Sequence, residues 1–341
     1  MSGRVKRREF ITLLGGTAAA WPAAARAQQG ERNRRVAVFT ALAPDDPENQ
    51  SRIAAFQQEM QRLGWTEGQN LRITYHSVGS DAEHVRKEAA ELVTLAPDVI
   101  LANGGTTMVP LHQLNRSVAV VFVNVPDPVG AGFVASLARP GGNATGFTVY
   151  EYGISGKWLE LLKQVAPGVA RVAVLRDPAN PSGMGQWGVI QAVSPSFGVE
   201  LRPVDNRNAD EIERGITTFA QEPNGGMIVV ANAFSVVHRD LIIRLAARHR
   251  LPAVYPYRFF CIGGGLIAYG VDDIDQYRRA AGYVDRVLRG ARPADLPVQG
   301  SSKYQLTVNL AAAKALGLEI PPTLLARADG VIEQRCFAVV R

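Results

Sequence analysis

Short apolar runs alternate with helical patterns along this 341-residue chain, and this alternation constrains the fold most. In the first half the runs are 36–40, 71–75, 99–102 and 118–123. They recur about every thirty residues, the length of a βαβ unit, which predicts a mostly parallel sheet. After residue 150 further strands are expected at 171–175, 199–204, 227–230, 253–255, 266–269 and 304–308, with a helix over 273–290. Two such units in tandem predict an α/β fold with two Rossmann-like, doubly wound lobes.

Capping residues place the ends of several helices. Gly64 stands where the first predicted helix should stop. Ser80 with Glu83, and Asn208 with Glu211, have the spacing of residues that start a helix. We interpret these residues as structural.

The first 27 residues have the features of an export signal. Arg7 and Arg8 lie in a basic start, the apolar run 11–21 follows, and Ala25 and Ala27 are the small residues of a cleavage site. The run is too short to span a bilayer, although a membrane anchor or a buried helix is the alternative. We expect a twin-arginine signal peptide at 1–27, cleavage after Ala27 and a periplasmic mature protein.

Much of the basic character of the chain belongs to this segment. Cleavage would remove five basic residues and one acidic residue, so the formal net charge would fall from +6 to +2. The calculated pI of about 9.5 is therefore no argument for nucleic acid or anionic lipid as a partner. No later stretch is apolar and long enough to predict a second membrane segment.

The cysteines and histidines predict no metal centre. An oxidising compartment would permit a bridge between Cys261 and Cys336, but two distant cysteines are more often buried or free. The histidines lack a paired metal-ligand spacing and are His76, His84, His112, His238 and His249. We expect no metal and no cofactor.

Polar or flexible residues follow the predicted strands of the first half, at the sheet edge where ligands bind in open α/β folds. These residues are Thr40, Asn103, Gly105, Thr106 and Asp127. Glycine lets a ligand approach the backbone, and N–H groups and hydroxyls at a helix start suit a carboxylate. An ordinary turn with a threonine cap remains the alternative. Asp127 could accept from an ammonium group, although Asp before Pro is equally common turn chemistry.

The second half supplies a matching set. Its members are Asp177, Asn180, Asn232, Tyr255, Tyr257, Tyr269 and Asp272. Tyrosine can stack on a planar ligand and donate a hydrogen bond, although an aromatic side chain at a strand end is more often partly core. Together the two sets predict a site for an amino acid or a similar small polar solute.

Motifs for catalysis are missing from the sequence. The glycines after residue 103 lack the Lys-Ser/Thr of a phosphate loop, and no GxGxxG follows the first strand. No nucleophile elbow, zinc motif or carboxylate pair stands out. We therefore predict a binding protein and not an enzyme.

Seven phrases in order along the chain resemble one family, the solute-binding proteins of ABC importers, in the group with tryptophan- and phenylalanine-binding members. They lie at 63–70, 124–146, 172–181, 246–253, 263–270, 279–286 and 313–322. The resemblance implies the periplasmic-binding-protein type I fold, with two lobes joined by three crossing segments near 145–150, 268–272 and 300–308. The N-terminal lobe would then hold 31–147 and 271–300, and the C-terminal lobe 148–270 and 301–335.

The resemblance also implies partners. A small-molecule ligand would be captured between the lobes and delivered to an inner-membrane ABC permease with its ATPase, by a protein that we expect to be monomeric. Two other functions stay open at this point. The same fold could serve as an extracytoplasmic sensor, and a doubly wound nucleotide-dependent enzyme is the alternative from another class.

Overall fold

A computed structural model describes residues 33–79, 81–149, 153–178, 181–205, 207–301 and 303–333. The expected signal peptide, Asn180 and Cys336 lie outside the described residues. Cys261 is buried with a free thiol, and this burial raises its pKa.

Strands and helices alternate as the sequence predicts. The strands are β1 (Arg34–Thr40), β2 (Leu71–Ser77), β3 (Val99–Asn103), β4 (Ala119–Val125), β5 (Ala144–Thr148), β6 (Arg171–Arg176), β7 (Glu200–Asp205), β8 (Gly225–Val229), β9 (Ala253–Tyr255), β10 (Ile267–Val271), β11 (Gln299–Gly300), β12 (Tyr304–Asn309) and β13 (Gly330–Ile332). The helices are α1 (Pro47–Arg62), α2 (Ala82–Leu95), α3 (Gly104–Leu114), α4 (Ile154–Val165), α5 (Pro181–Val193), α6 (Ala209–Phe219), α7 (Ala233–Val237), α8 (Arg239–Arg248), α9 (Arg258–Ile262), α10 (Asp273–Leu288), α11 (Leu310–Leu316) and α12 (Pro322–Leu325). Short 3₁₀ turns lie at Ser194–Phe197 and Pro293–Asp295.

The first sheet is parallel throughout, in the order β11-β5-β4-β3-β1-β2. Both of its faces are buried, because Val36 and Val38 join the core under α1 and α10 while Ala37 and Phe39 join the core under α2 and α3. This sheet with these four helices is called the N-lobe. Burial on both faces explains why β1, β3 and β4 are apolar along most of their length, whereas the edge strand β2 alternates buried with exposed residues at its start.

The second sheet has the order β13-β12-β10-β9-β8-β6-β7 and forms the C-lobe with the remaining helices. The β10–β12 pair is antiparallel, and the other pairs are parallel. The chain passes between the sheets three times: after β5, between β10 and α10, and between β11 and β12. The prediction of two α/β lobes joined by three crossing segments is therefore confirmed.

Helix ends agree with the sequence in most places. Asn208 starts α6 as predicted, since its side-chain oxygen accepts from the Glu211 N–H at 2.9 Å. The start of α2 differs from the prediction: Ser80 lies outside the described residues, and the side chain of Asp81 caps the helix by accepting from the His84 N–H at 2.8 Å. Among the described helices, none combines the length and the apolar character needed to cross a bilayer.

Candidate functional site: the cleft between the lobes

A cleft between the lobes contains about 540 Å³ of space that no atom fills, part of it open to solvent. From the N-lobe it is lined by Ala41, Leu42, Arg52, Asn103, Gly104, Gly105, Thr106, Asn124 and Pro126. From the C-lobe it is lined by Ala231, Asn232, Ala233, Val236 and Tyr257. Many of these residues follow the carboxyl ends of strands, which is where ligands bind in such sheets.

A larger groove of about 1190 Å³ lies on the flank of the C-lobe, along β7 and α6. Arg171, Arg202 and Arg207 in this groove each lie within ion-pair distance of an acidic side chain. The groove is lined by residues of the C-lobe alone, and three of its arginines lie beside acidic side chains. We therefore take the interlobe cleft as the candidate functional site.

Polar side chains from three adjacent strands of the N-lobe are connected by hydrogen bonds. Asn124 Nδ2 donates to Asn103 Oδ1 at 3.0 Å, and Asn103 Nδ2 lies 3.5 Å from Thr40 Oγ1. Thr40 itself is buried and accepts from the Leu42 N–H at 3.2 Å. Thr40 therefore supports the cleft wall from behind, while Asn103 and Asn124 form its surface.

Helix α3 directs its first turn into the cleft. Gly104 begins the helix with φ +82°, and Gly105 and Thr106 follow it in the lining. The side chain of Asn103 makes no capping hydrogen bond to this helix. Because the first N–H groups of a helix need acceptors and carry partial positive charge, this turn can bind an anionic oxygen.

Arg52 is the charged residue of the cleft lining and is only 3% exposed. Its Nη2 donates to Asp273 Oδ2 at 2.6 Å, and its guanidinium carbon lies 5.6 Å from the centre of the Phe259 ring. Burial disfavours the charged guanidinium and is the largest single effect. Asp273 together with Tyr277, Glu48 and Tyr257 outweighs it, so the pKa of Arg52 is raised. Burial also raises the pKa of Asp273, and Arg52 opposes that rise.

Two buried polar atoms of the N-lobe wall have no hydrogen-bond partner among the described residues. They are Arg52 Nε, which can only donate, and Asn124 Oδ1, which can only accept. A buried polar atom without a partner costs about 1–3 kcal/mol. A ligand that offers both an acceptor and a donor would remove this cost.

The C-lobe wall is mainly apolar. Ala233 and Val236 present small aliphatic surfaces, and Tyr257 is buried with its ring stacked on Phe259 at 5.2 Å. Asn232 is engaged by its own helix, since its Oδ1 accepts from the Ser235 N–H at 2.8 Å and its Nδ2 donates to the Val230 carbonyl at 3.0 Å. This wall suits the apolar part of a ligand.

Several residues predicted to bind ligand lie outside the lining. Asp127 has φ +42° and accepts from the Gly130 N–H at 2.8 Å, as turn chemistry requires. Asp177 follows β6 and is half-buried. Tyr255 is in the C-lobe core, where it stacks on Phe260 at 4.9 Å and where burial raises its pKa.

The two predicted site residues at a crossing segment have structural partners. The Tyr269 ring stacks on Tyr304 at 6.0 Å, and its carbonyl accepts from Trp158 Nε1 at 2.7 Å. Asp272 caps α10 by accepting from the Asp275 N–H at 3.1 Å, and its second oxygen accepts from Gln305 Nε2, also at 3.1 Å. Asp272 thus joins two crossing segments.

Replacement of Asp272 by Ala should lower the free energy of unfolding by about 1 kcal/mol, because α10 loses its N-terminal cap. Urea unfolding would measure this loss. Asp272→Asn keeps a capping oxygen and should retain most of the stability. Equal losses in both variants would contradict the capping role.

Sequence reasoning missed two polar residues of the cleft. Arg52 lies in α1, where the spacing of the apolar residues alone was enough to predict a helix. The partner of Arg52, Asp273, is 221 positions away in the sequence. Asn124 could have been found, because β4 runs to Val125 and its end therefore includes this asparagine. Among the described residues no group of three or more His, Cys, Asp or Glu side chains could hold a metal ion.

Comparisons with known proteins agree with this architecture. The chain is 21% identical to the tyrosine-binding protein of Clostridioides difficile (strain R20291) over 264 residues, which cover 77% of this chain and 76% of that protein. A conserved domain protein from Vibrio cholerae superposes with a TM-score of 0.82 at 23% identity, covering 88% of this chain and 100% of that one. An ABC domain from Streptococcus pneumonia in complex with L-Trp superposes with a TM-score of 0.81 at 21% identity, with the same two coverages.

The sequence profile of one family spans nearly the whole described chain. It matches residues 36–332, from the third residue of β1 to the end of β13. This range includes both lobes and every residue that lines the cleft. The protein therefore belongs to the ABC transporter substrate binding protein family.

Proposed function

We propose that the protein is the periplasmic receptor of an ABC importer and that it binds an α-amino acid with an apolar or aromatic side chain. The observation that carries this proposal is the contrast between the cleft walls. The N-lobe wall offers a buried donor and a buried acceptor without partners, Arg52 Nε and Asn124 Oδ1, whereas the C-lobe wall is mainly apolar. An amino acid has a carboxylate, an ammonium group and an apolar end that match these features.

The carboxylate of the ligand would lie at the first turn of α3. There the N–H groups near Gly105 and the hydroxyl of Thr106 can donate to it, and Arg52 adds a positive charge nearby. The ammonium group would donate to Asn124 Oδ1. The negative charge of Asp273 would also favour an ammonium group at this place. The Asp273 carboxylate lies close enough to Asn124 for the Asn124 side chain to help lower the pKa of Asp273.

The side chain of the ligand would extend over Ala233, Val236 and Tyr257 of the C-lobe. An aromatic ring there could pack against the tyrosine. Relatives support the assignment, since one is named a tyrosine-binding protein and another contains L-Trp. Of the residues predicted from sequence, we retain Asn103, Gly105, Thr106, Asn232 and Tyr257 as ligand contacts.

Ligand binding would shift the lobes further toward the closed form, because a molecule that touches both walls stabilises the closed form over the open one. The moving bodies would be 31–147 with 271–300 and 148–270 with 301–335. We further propose export through the twin-arginine signal, a monomeric state, delivery to an inner-membrane permease with its ATPase, and no catalytic activity.

A thermal-shift screen tests the proposed ligand class. We expect L-tryptophan, L-tyrosine or L-phenylalanine to raise the melting temperature, since a ligand at a hundred times its dissociation constant adds about 2.7 kcal/mol of stability. Tryptamine lacks the carboxylate and indole-3-propionate lacks the ammonium group, so both should shift it less than tryptophan does. D-ribose is the negative control. A shift with ribose and none with amino acids would overturn the assignment.

A further inference from the structure

An ion pair joins the two lobes beside the ligand cleft. Asp46 Oδ2 of the N-lobe lies 2.6 Å from Arg239 Nη1 of the C-lobe, and the side chains are 8% and 18% exposed. Arg239 also lies 4.0 Å from Asp240 of its own helix, but Asp240 is 72% exposed. The contact with Asp46 is therefore the shorter and better shielded of the two.

An aromatic ring lies between charged groups of both lobes at the same place. The Phe259 ring of the C-lobe is 5% exposed. The guanidinium carbon of Arg52 lies 5.6 Å from its centre and that of Arg239 lies 5.7 Å away. These distances are those of cation–π contacts, whose strength increases when the groups are shielded from water.

The same residues contact the ligand cleft. Arg52 lines the cleft, Arg239 Nη1 donates to the carbonyl of the lining residue Val236 at 3.3 Å, and Phe259 stacks on the lining residue Tyr257. Any opening of the lobes would separate Asp46 from Arg239 and Phe259 from Arg52. Lobe closure thus adds a C-lobe contact to Arg52, whose ion pair with Asp273 lies within the N-lobe.

Charges around the ion pair follow the same division between the lobes. Glu48, next to Asp46, is half-buried. Burial has the largest effect on the pKa of Glu48 and raises it. Arg52 of the N-lobe and Arg258 of the C-lobe oppose this rise. The N-lobe therefore presents two acidic side chains where the C-lobe presents Arg239 and Arg258.

We infer that Asp46, Arg239 and Phe259 form an interlobe latch that favours the closed form before ligand binds and places Arg52 for ligand contact. The first part, closure of the lobes, can be measured without ligand. The second part, contact between Arg52 and a ligand, rests on the proposed function. When only a fraction of the molecules can bind ligand, the apparent affinity equals the intrinsic affinity multiplied by that fraction. The latch would therefore set the ligand affinity from outside the cleft lining.

The test is small-angle X-ray scattering of the ligand-free protein. Asp46→Asn removes the charge and keeps an oxygen that can cap α1, where Asp46 Oδ1 accepts from the Glu48 N–H at 2.9 Å. We expect Asp46→Asn and Arg239→Gln each to increase the radius of gyration. The double variant should show no further increase over Arg239→Gln, since both changes break the same ion pair.

Asp81→Asn is the matched control, because Asp81 caps α2 in the same lobe and has no ion pair among the described contacts. It should leave the scattering curve unchanged. An unchanged radius of gyration in folded Asp46→Asn, or a strictly additive effect in the double variant, would overturn the latch. A flat ligand screen would instead refute the proposed ligand class and leave this result intact.

With a ligand from the amino-acid screen, Asp46→Asn should weaken binding about 5- to 50-fold, in proportion to the loss of closed molecules. Isothermal titration calorimetry would measure the affinity. Unchanged affinity together with an increased radius of gyration would overturn the second part of the inference.

Discussion

Replacement of Arg52 by Met should lower the free energy of unfolding by about 3–5 kcal/mol, because removal of one partner of a buried ion pair leaves the other charge uncompensated. Arg52 is 3% exposed, and the Asp273 side chain, at 2.6 Å from it, is 9% exposed. Methionine keeps a long flexible stem, so packing losses should be small beside the electrostatic cost. Urea unfolding followed by circular dichroism would measure the loss.

A second variant separates charge from packing. Arg52→Met combined with Asp273→Asn removes both charges, and it should recover most of the stability that the single change loses. Both variants should bind ligand poorly, since Arg52 lines the cleft. Failure of the double variant to recover stability would show that Arg52 acts mainly through packing.

The stability deficit of Arg52→Met should also depend on pH. Burial raises the pKa of Asp273, and loss of the opposing Arg52 raises it further, so the folded state holds this proton more tightly than the unfolded chain does. The deficit should therefore be small at acidic pH. It should grow as the pH rises from the raised pKa of Asp273 in the folded parent protein through the still higher pKa in the variant, because the two unfolded chains titrate alike at this residue. A deficit that is constant over this range would contradict the electrostatic explanation.

Local sequence patterns predict the fold well because the forces that they report are local. The inner strands of the N-lobe are apolar on both faces, and the cap at Asn208 needs only the N–H of Glu211 three residues away. The short strands β11 and β13 lack such a pattern, since Gln299 and Gly300 are exposed and pair through their backbone. Their place in a sheet depends on where the crossing segments return.

The cleft is harder to predict because its key contacts join distant parts of the chain. A charged residue in an amphipathic helix normally faces solvent, and nothing near Arg52 in sequence indicates that Asp273 will bury it. Tyr255 shows the opposite problem. A tyrosine at a strand end suits a ligand, but Phe260 stacks on it and places it in the core.

Replacement of Gly105 by Leu should abolish ligand binding, with a loss of at least about 100-fold, or about 2.7 kcal/mol. Gly105 lines the cleft at the first turn of α3, and a Cβ at this position would meet no atom within 4 Å. The Cβ of the leucine therefore has room, and the rest of its side chain would enter the space that a ligand needs. Calorimetric titration with the amino acid that gives the largest thermal shift would measure the loss.

Stability distinguishes a blocked cleft from a damaged fold. Glycine in a helix costs roughly 0.5–1 kcal/mol relative to alanine, and the φ of Gly105 is not in the left-handed region, so Gly105→Leu should fold at least as stably as the parent protein. Gly282→Leu is the matched control, because Gly282 lies in α10 outside the cleft lining and a Cβ there would also meet no atom within 4 Å. Normal binding by Gly105→Leu would place the ligand elsewhere. Loss of binding in Gly105→Leu alone would identify the first turn of α3 as part of the ligand site, because the two substitutions differ chiefly in which surface receives the leucine.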